Sequence, residues 1–390
     1  MDGSPIVCDG KIAEGGEGVV YRSNSPGLVI KIFHEPSTLR RKKIEAMIEN
    51  PAHDHSLTHN SFTWPLAIII DENGAFRGYA MADISDTLSL NAVYNAKLRQ
   101  RQRNINWYGL HAIAANVAHL FHNLHCQDIV IGDIKSDNFR VDGFGAVSLI
   151  DTDSLALSLN GKRYACPVGS EGFTPPELIN RNLATVSRDE TQDRYGLAIL
   201  LFQLLTGQHP FHGSWRGFGE PPTIDRLIQL GLWPHGPTRK IEPGQLALPL
   251  ETLHEGLRDC FERCFLTGHK APDERPSAWE WYQALCGAMA ELVSCTEEHG
   301  HFHLDTQDCP WCARKESLGL DVFPQNSAAA DPVYPLILTF ERALARGDGE
   351  MALELWDTNA MLRHHAQTKG RKVLLNRLRQ DTATMQLAAE

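Results

Sequence analysis

A short polar and apolar stretch at residues 130–138 constrains this chain more than any other feature. It carries Asp133, then Lys135 two residues later and Asn138 five residues later. A further carboxylate, Asp151, follows an apolar run. Such a set can orient an attacking hydroxyl, screen a moving phosphate and hold a magnesium ion. The pattern therefore indicates a phosphoryl-transfer site.

These residues resemble the catalytic loop and the metal-binding loop of the eukaryotic-type protein kinases. The first motif reads D-I-K-S-D-N, with Ile131 and Gly132 in place of the family's His and Arg, and the second occupies residues 151–153. The resemblance implies that one carboxylate accepts the proton of the substrate hydroxyl and that a Lys contacts the transferred group. It also implies Mg²⁺ (or Mn²⁺) ligands. The residues concerned are Asp133 and Lys135 for the first two roles, and Asn138 and Asp151 for the metal.

A glycine-rich turn and a lysine in an apolar run come first along the chain. Glycines let backbone N–H groups approach phosphates without a Cβ in the way. Lys31 lies in a β-rich apolar run, where a buried ammonium requires a partner. Both features resemble the ATP-binding elements of kinases, with Ala13 at the first glycine position. The resemblance implies a nucleotide site built from Ala13, Gly15, Gly16, Gly18, Val20, Lys31, Met81, Ala82 and Ile84.

A predicted helix at about residues 36–49 follows the lysine strand. A kinase places here the Glu that pairs with this Lys, which adds a carboxylate to the catalytic set. We expect Glu45 to fill this role, with Glu49 as the alternative.

Later landmarks follow in kinase order. Ser170 occupies the position of a Thr whose hydroxyl bridges the catalytic Asp and Lys. Glu177 has a candidate partner in Arg275, and Asp193 is expected to accept N–H bonds from the catalytic loop. We therefore predict an α+β, bilobal protein-kinase fold. Its N-lobe spans 1–84 with a five-stranded antiparallel sheet, and its C-lobe spans 85–290.

Cysteine and histidine residues cluster just beyond the kinase-like region, at 291–316. Cys309 and Cys312 form a C-x-x-C knuckle, and with Cys295 and His301 they could complete a tetrahedral zinc site. His299 or His303 could replace His301. A redox pair and plain thiols are the alternatives. The rest reads as a linker at 317–331 and a helical region at 332–390. Basic residues in that region indicate a solvated face more than a nucleic-acid surface.

Composition limits the remaining classes. The 390 residues contain 37 basic and 48 acidic side chains, a net charge of −11, which disfavours a general nucleic-acid binder. The sequence shows no apolar run of membrane-spanning length and no secretory signal. Nine cysteines in irregular positions indicate reduced thiols in a cytoplasmic protein, with the exception of the cluster near the C-terminus.

The prediction is an ATP-dependent Ser/Thr protein kinase with ATP, Mg²⁺ and Zn²⁺ as cofactors. The kinase region followed by C-P-W-C resembles bacterial kinases that accompany a tellurite-resistance-type von Willebrand A protein and a PP2C-type phosphatase. That resemblance implies those partners, besides a protein substrate, and a role in bacterial stress or DNA-damage signalling. The alternative is a nucleotide-binding pseudokinase scaffold whose zinc and helical modules bind partners or nucleic acid.

Overall fold

A computed structural model describes residues 5–54, 61–102, 105–142, 145–306 and 308–324, and, further on, 340, 343–344, 349–358, 362–363, 371, 375–376 and 379. A β-sheet with one packed helix is followed by a larger, mainly helical part. The predicted two-lobed α+β arrangement is therefore confirmed.

The N-lobe is the predicted five-stranded antiparallel sheet. Its strands are β1 (Cys8–Glu14), β2 (Gly18–Ser23), β3 (Leu28–Phe33), β4 (Ala67–Ile70) and β5 (Phe76–Ala82), in the order β1-β2-β3-β5-β4. Strand β3 lies between β2 and β5, so Lys31 is enclosed on both sides by Val20 and Tyr79. Helix α1 (Thr38–Glu49) begins at Ser37, whose hydroxyl accepts the N–H of Arg40 at 3.2 Å.

The C-lobe is built around two long buried helices, α4 (Trp107–His125) and α5 (Glu190–Thr206). An Asp189–Gln192 capping box begins α5, and Gly207, at φ 76°, ends it. Short strands carry the site loops. Strands β6 (Leu88–Ser89), β7 (Phe139–Val141) and β8 (Val147–Leu149) form one sheet. Two further pairs are β9 (Leu157–Leu159) with β10 (Lys162–Tyr164), and β11 (Gly213–Trp215) with β12 (Ile241–Pro243).

The other helices of the C-lobe are α2 (Leu90–Tyr94), α3 (Ala96–Gln102), α6 (Ile224–Leu230), α7 (Glu255–Glu262), α8 (Gly268–Lys270) and α9 (Ala278–Glu291). A π-helical turn lies at Arg263–Thr267.

The cysteine-containing segment continues directly from α9. It comprises β13 (Leu292–Ser294), β14 (Phe302–Leu304) and α10 (Pro310–Leu318). Trp311 is buried against Trp107 of α4, with ring centroids 5.0 Å apart, and against Phe323. The prediction of a linker from residue 317 is therefore wrong for its first residues, because α10 reaches Leu318 and the Phe323 ring is packed into the C-lobe core.

Most of the predicted helical region 332–390 lies outside the described residues, as do Lys369, Lys372 and Arg377 of its basic set. Helix α11 (Gly349–Thr358) belongs to a small apolar cluster of its own that includes Phe340 and Trp356. No helix in the described ranges is both long and apolar enough to cross a lipid bilayer.

Candidate active site and candidate metal centre

Asp193 holds the catalytic loop from the first turn of α5. Its buried carboxylate accepts the backbone N–H groups of Ile131 at 2.7 Å and Gly132 at 2.9 Å, which confirms the expected anchoring. Gly132 has φ 74°, and a Cβ there would lie 2.8 Å from Cys166 Sγ and from a guanidinium nitrogen of Arg188. Both the positive φ and the lack of space for a Cβ therefore favour glycine at position 132, where the resembled family has Arg.

The catalytic loop presents Asp133 among polar partners. Ser170 Oγ donates to Asp133 Oδ1 at 2.7 Å, and Lys135 Nζ lies 3.5 Å from the other carboxylate oxygen. The side-chain amide of Asn138 donates to the Asp133 carbonyl at 2.9 Å. The backbone carbonyl of Asn138 accepts the N–H of Ile150 at 2.9 Å. The predicted loop residues therefore meet at one place, next to the segment that leads into Asp151.

Lys31 reaches this place from β3. Its Nζ lies 3.1 Å from Asp151 Oδ1 and 2.7 Å from Asp153 Oδ1. Burial alone would lower the pKa of Lys31, but the carboxylates of Asp153 and Asp151 more than reverse this, and the pKa lies above its ordinary value. Asp151 has φ 57°, which is rare for a residue with a side chain and is frequent at functional sites.

The predicted pairing of Lys31 with Glu45 is wrong in this structure. Glu45 is partly exposed and accepts from Arg41, one helical turn before it, at 2.8 Å. The alternative, Glu49, is exposed. The buried face of α1 carries Lys43 and Met47 instead. The periodicity of the helix thus directs its acidic residues away from Lys31.

Sequence reasoning missed three residues around Lys31. Asp153 is buried, and it accepts a hydrogen bond from the hydroxyl of Tyr79 at 2.7 Å. Burial would raise the pKa of Asp153, but Lys31 and the Tyr79 bond hold it below its usual value. Lys43 donates to the Leu155 carbonyl at 2.6 Å, just beyond this turn. The one sequence signal for these contacts was the presence of a second Asp two residues after Asp151.

Thr152 stands where the resembled family has Phe. Its side chain is fully buried, and its hydroxyl donates to the Thr63 carbonyl at 2.8 Å. The Thr63 N–H donates to the Leu149 carbonyl at 2.9 Å, and the Leu149 N–H donates to the Ser61 carbonyl at 2.9 Å, so several hydrogen bonds join this segment to the region before β4. A polar anchor therefore replaces an aromatic contact.

The glycine-rich turn joins β1 to β2. Gly15 N–H donates to the Gly18 carbonyl at 2.9 Å, and a Cβ on Gly15 or Gly16 would meet nothing within 4 Å. At Gly18 a Cβ would lie 2.3 Å from the Ile32 carbonyl oxygen. Gly18 is therefore required by the close approach of β3, whereas Gly15 and Gly16 leave open space beside their backbone. Met81 is buried on β5, which ends at Ala82.

Arg275 joins two distant parts of the C-lobe. Its guanidinium makes two hydrogen bonds of 2.8 Å to the carboxylate of Glu177, as expected, and its side chain is fully buried. It also donates to the Gly268 carbonyl at 2.8 Å. This pair fixes the end of the segment that carries Ser170.

The sulfur atoms of Cys295, Cys309 and Cys312 lie within 4.8 Å of one another. The first and last sulfurs are 3.7 Å apart, and His301 Nδ1 is 3.4 Å from Cys312 Sγ and 3.6 Å from Cys309 Sγ. Ligands around a tetrahedral zinc, at about 2.3 Å for sulfur, would be roughly 3.5–3.8 Å apart. The three sulfurs, and the distances from His301 to Cys309 and Cys312, therefore fit zinc, although His301 lies outside the group of three sulfurs that are all within 4.8 Å of one another.

The environment of His301 favours it over His299 and His303 as the zinc-binding histidine. Its other ring nitrogen lies 3.0 Å from Asp321 Oδ1, an arrangement common for a histidine that binds zinc. The ring of His303 instead makes a 2.8 Å contact with the Leu304 carbonyl. Asp321 was not predicted, because its position in a presumed linker gave no signal.

Residues 9–281 match the protein kinase domain, and the chain belongs to the protein kinase family. Protein kinase YegI of Escherichia coli (strain K12) is 31% identical over 314 residues, covering 78% of this chain and 48% of the relative. The protein of the same name in Escherichia coli O157:H7 is 31% identical over 316 residues with the same coverage. Beta-adrenergic receptor kinase 1 of Mus musculus is 32% identical over 167 residues, 42% of this chain and 22% of its own. The chain spans about half the length of the first two relatives.

Proposed function

We propose that this chain transfers the γ-phosphoryl group of ATP to Ser or Thr hydroxyls of protein substrates. The observation that carries the proposal is the environment of Asp133, whose carboxylate accepts from Ser170 and lies 3.5 Å from Lys135. Asp133 orients the substrate hydroxyl and takes its proton, while Lys135 contacts the transferring group. Catalysis here is positioning and charge stabilisation.

Nucleotide and metal binding fall to the residues around Lys31. Lys31 binds the α- and β-phosphates, and the turn at Gly15 and Gly16, which has open space beside its backbone, covers them. The Asn138 amide nitrogen is engaged, so its oxygen is the atom that faces a cation, together with the partly exposed Asp151 carboxylate. Oxygen donors of this kind suit magnesium, which when bound neutralises charge on the phosphates.

Regulation and partners are proposed from the sequence resemblance. The presence of Lys135 and Ser170 favours Ser/Thr specificity, and Gly132 leaves the catalytic loop without the Arg that reads an activation-segment phosphate. We therefore expect phosphorylation of that segment to raise activity less than tenfold. A PP2C-type phosphatase, a von Willebrand A-type protein and a stress-signalling role follow from the resemblance alone.

Zinc is proposed as a structural cofactor held by Cys295, His301, Cys309 and Cys312. The fit of the donor spacing and the Asp321 contact to His301 support it. When bound, the metal would cross-link β13, β14 and α10, which have little core of their own.

The test is transfer of labelled γ-phosphate from magnesium ATP to the protein itself and to a generic basic protein, with Asp133→Asn alongside. Transfer that disappears in the variant supports the kinase. The contact of Lys31 with two carboxylates favours one alternative function, that of a nucleotide-binding scaffold that transfers no phosphate. ATP binding with no transfer by the unaltered chain would establish that alternative.

A further inference from the structure

Lys31 has two carboxylate partners that differ in exposure. The Asp151 side chain is 36% exposed and lies 3.1 Å from Nζ, whereas the Asp153 side chain is 3% exposed and lies 2.7 Å away. Asp151 is also the proposed magnesium ligand, so a bound nucleotide and metal would draw it from Lys31. Asp153 has no access to bulk solvent and would stay paired.

The surroundings of Asp153 fix its carboxylate in place. The fully buried Tyr79 donates to the same oxygen that contacts Lys31. Ser154 Oγ donates to the Asp151 carbonyl at 2.8 Å and closes the turn, and Lys43 holds the next residue, Leu155, from α1. A buried carboxylate with this many partners is oriented as well as charged.

Helix α1, which is described throughout, offers Lys31 no carboxylate. Its Glu45 is bonded to Arg41, and the α1 side chains around Asp153 are cations. Arg40 Nη1 lies 3.9 Å from Asp153 Oδ2, and Lys43 is buried one turn further along the helix. We propose that Asp153 is the positioning residue that holds Lys31 for the nucleotide phosphates, in place of an acidic residue on α1. This inference rests on the proposed phosphoryl transfer.

The consequence is that one turn aligns two parts of the site. Asp151 and Asp153 are two residues apart, so the metal-binding carboxylate and the anchor of Lys31 move together. Helix α1 then affects Lys31 through its contacts with this turn. Arg40 Nη1 lies 3.9 Å from Asp153 Oδ2, and Lys43 donates to the Leu155 carbonyl.

The experiment is a double-mutant cycle of Asp153→Asn and Lys31→Met in the full chain. Affinity for magnesium ADP is measured by calorimetry, and the kcat and KM of phosphoryl transfer are measured in parallel. We expect Asp153→Asn alone to weaken ADP binding at least fivefold and to lower kcat/KM at least tenfold, mainly through kcat. In the Lys31→Met background the same change should leave affinity unchanged or tighten it, because Asp153 has then lost its closest counter-charge and remains an anion near the phosphates.

Glu45→Gln is the matched control, since it removes a carboxylate from the helix where one was expected. It should stay within twofold of the unaltered protein in both measurements. Equal losses from Asp153→Asn in both backgrounds would overturn the proposal. So would a tenfold loss in Glu45→Gln with Asp153→Asn unaffected.

Folding is followed by thermal unfolding of every variant. If Asp153→Asn fails to fold while the double variant folds, the pair is supported, because the double variant leaves no unpaired buried charge. If the double variant also fails while Lys31→Met folds, Asp153 acts independently of Lys31 and the proposal is wrong. The binding measurement tests Asp153 even if the unaltered chain transfers no phosphate, which would contradict only the proposed function.

Discussion

At the scale of single residues, Gly132 sets the shape of the catalytic loop. Its left-handed backbone and its closeness to Cys166 and Arg188 both exclude a side chain. The two N–H bonds to Asp193 depend on this conformation being retained at Ile131 and Gly132. A substitution at this position therefore acts on the orientation of the neighbouring Asp133.

We expect Gly132→Ala to lower the free energy of unfolding by about 2–4 kcal/mol, the sum of backbone strain and overpacking. Gly161→Ala is the control, because Gly161 has φ 72° but open space around it. It should cost only the strain, about 1–2 kcal/mol. Urea unfolding of both variants measures the difference. Equal losses would show that the crowding at Gly132 relaxes freely.

The buried Arg275 makes Glu177 a second sensitive residue. Glu177→Gln leaves the buried guanidinium without a counter-charge, and we expect a loss of about 3–5 kcal/mol. The exposed Arg216–Glu242 pair, with side chains 59% and 54% exposed, is the comparison. There Glu242→Gln should cost about 1 kcal/mol or less. Chemical denaturation of both variants compares the pairs, and similar losses would mean that Arg275 is reached by water.

At the scale of elements, α1 is coupled to the turn after Asp151 by Lys43. Burial lowers the pKa of Lys43 from 10.5 to about 8. The charged form of Lys43 is therefore disfavoured in the folded protein relative to the unfolded chain. The hydrogen bond to Leu155 offsets only part of this cost.

This gives Lys43 a defined pH dependence. Between pH 8 and 10.5 the unfolded chain binds the proton that the folded protein has released, so the contribution of Lys43 to stability rises with pH. Relative to Lys43→Met, the unaltered protein should gain roughly 2–3 kcal/mol in unfolding free energy from pH 7.5 to 10. A flat difference between the unaltered protein and Lys43→Met over this pH range would contradict the shifted pKa.

Motif spacing was sufficient to predict a contact where both residues lie on elements of fixed geometry. Asp193 and Arg275 met their expected partners, and Ser170 met Asp133, one of the two residues that it was expected to bridge. Loops that end on buried helices leave little choice of position. Glu45 could not be assigned from sequence, since the spacing of acidic residues on α1 does not reveal which face turns inward. Asp153 was missed because its contact with Lys31 spans 122 residues of sequence, and a lone Asp in a turn reads as solvent-exposed.

At the scale of the whole molecule, the cysteine segment is part of the C-lobe rather than an appendage. Trp311 packs on Trp107, and its indole N–H donates to the Phe302 carbonyl at 2.6 Å. The guanidinium of Arg99 lies 4.7 Å from the Phe323 ring centroid. An ordered cysteine segment therefore stabilises the start of α4, the helix that leads to the catalytic loop.

We expect removal of the proposed zinc to destabilise the kinase region together with the segment. Chelation, or Cys309→Ser, should lower the melting temperature by several degrees in one transition, because the two parts share a core. Metal content by mass spectrometry and differential scanning calorimetry check this. The exposed Cys126 supplies a control, Cys126→Ser, that should change neither measurement. Two separate transitions would show independent folding.

The hydrogen bond from Thr152 to Thr63 bears on how small molecules could inhibit this protein. Compounds that wedge behind the metal-binding turn would have to displace a fully buried side chain and break that bond, besides the backbone bond from Thr63 to Leu149. Compounds that occupy only the nucleotide cleft disturb neither bond. A screen should therefore return competitors of ATP rather than wedge-type inhibitors, and resistance should arise at residues of the proposed nucleotide site, such as Met81.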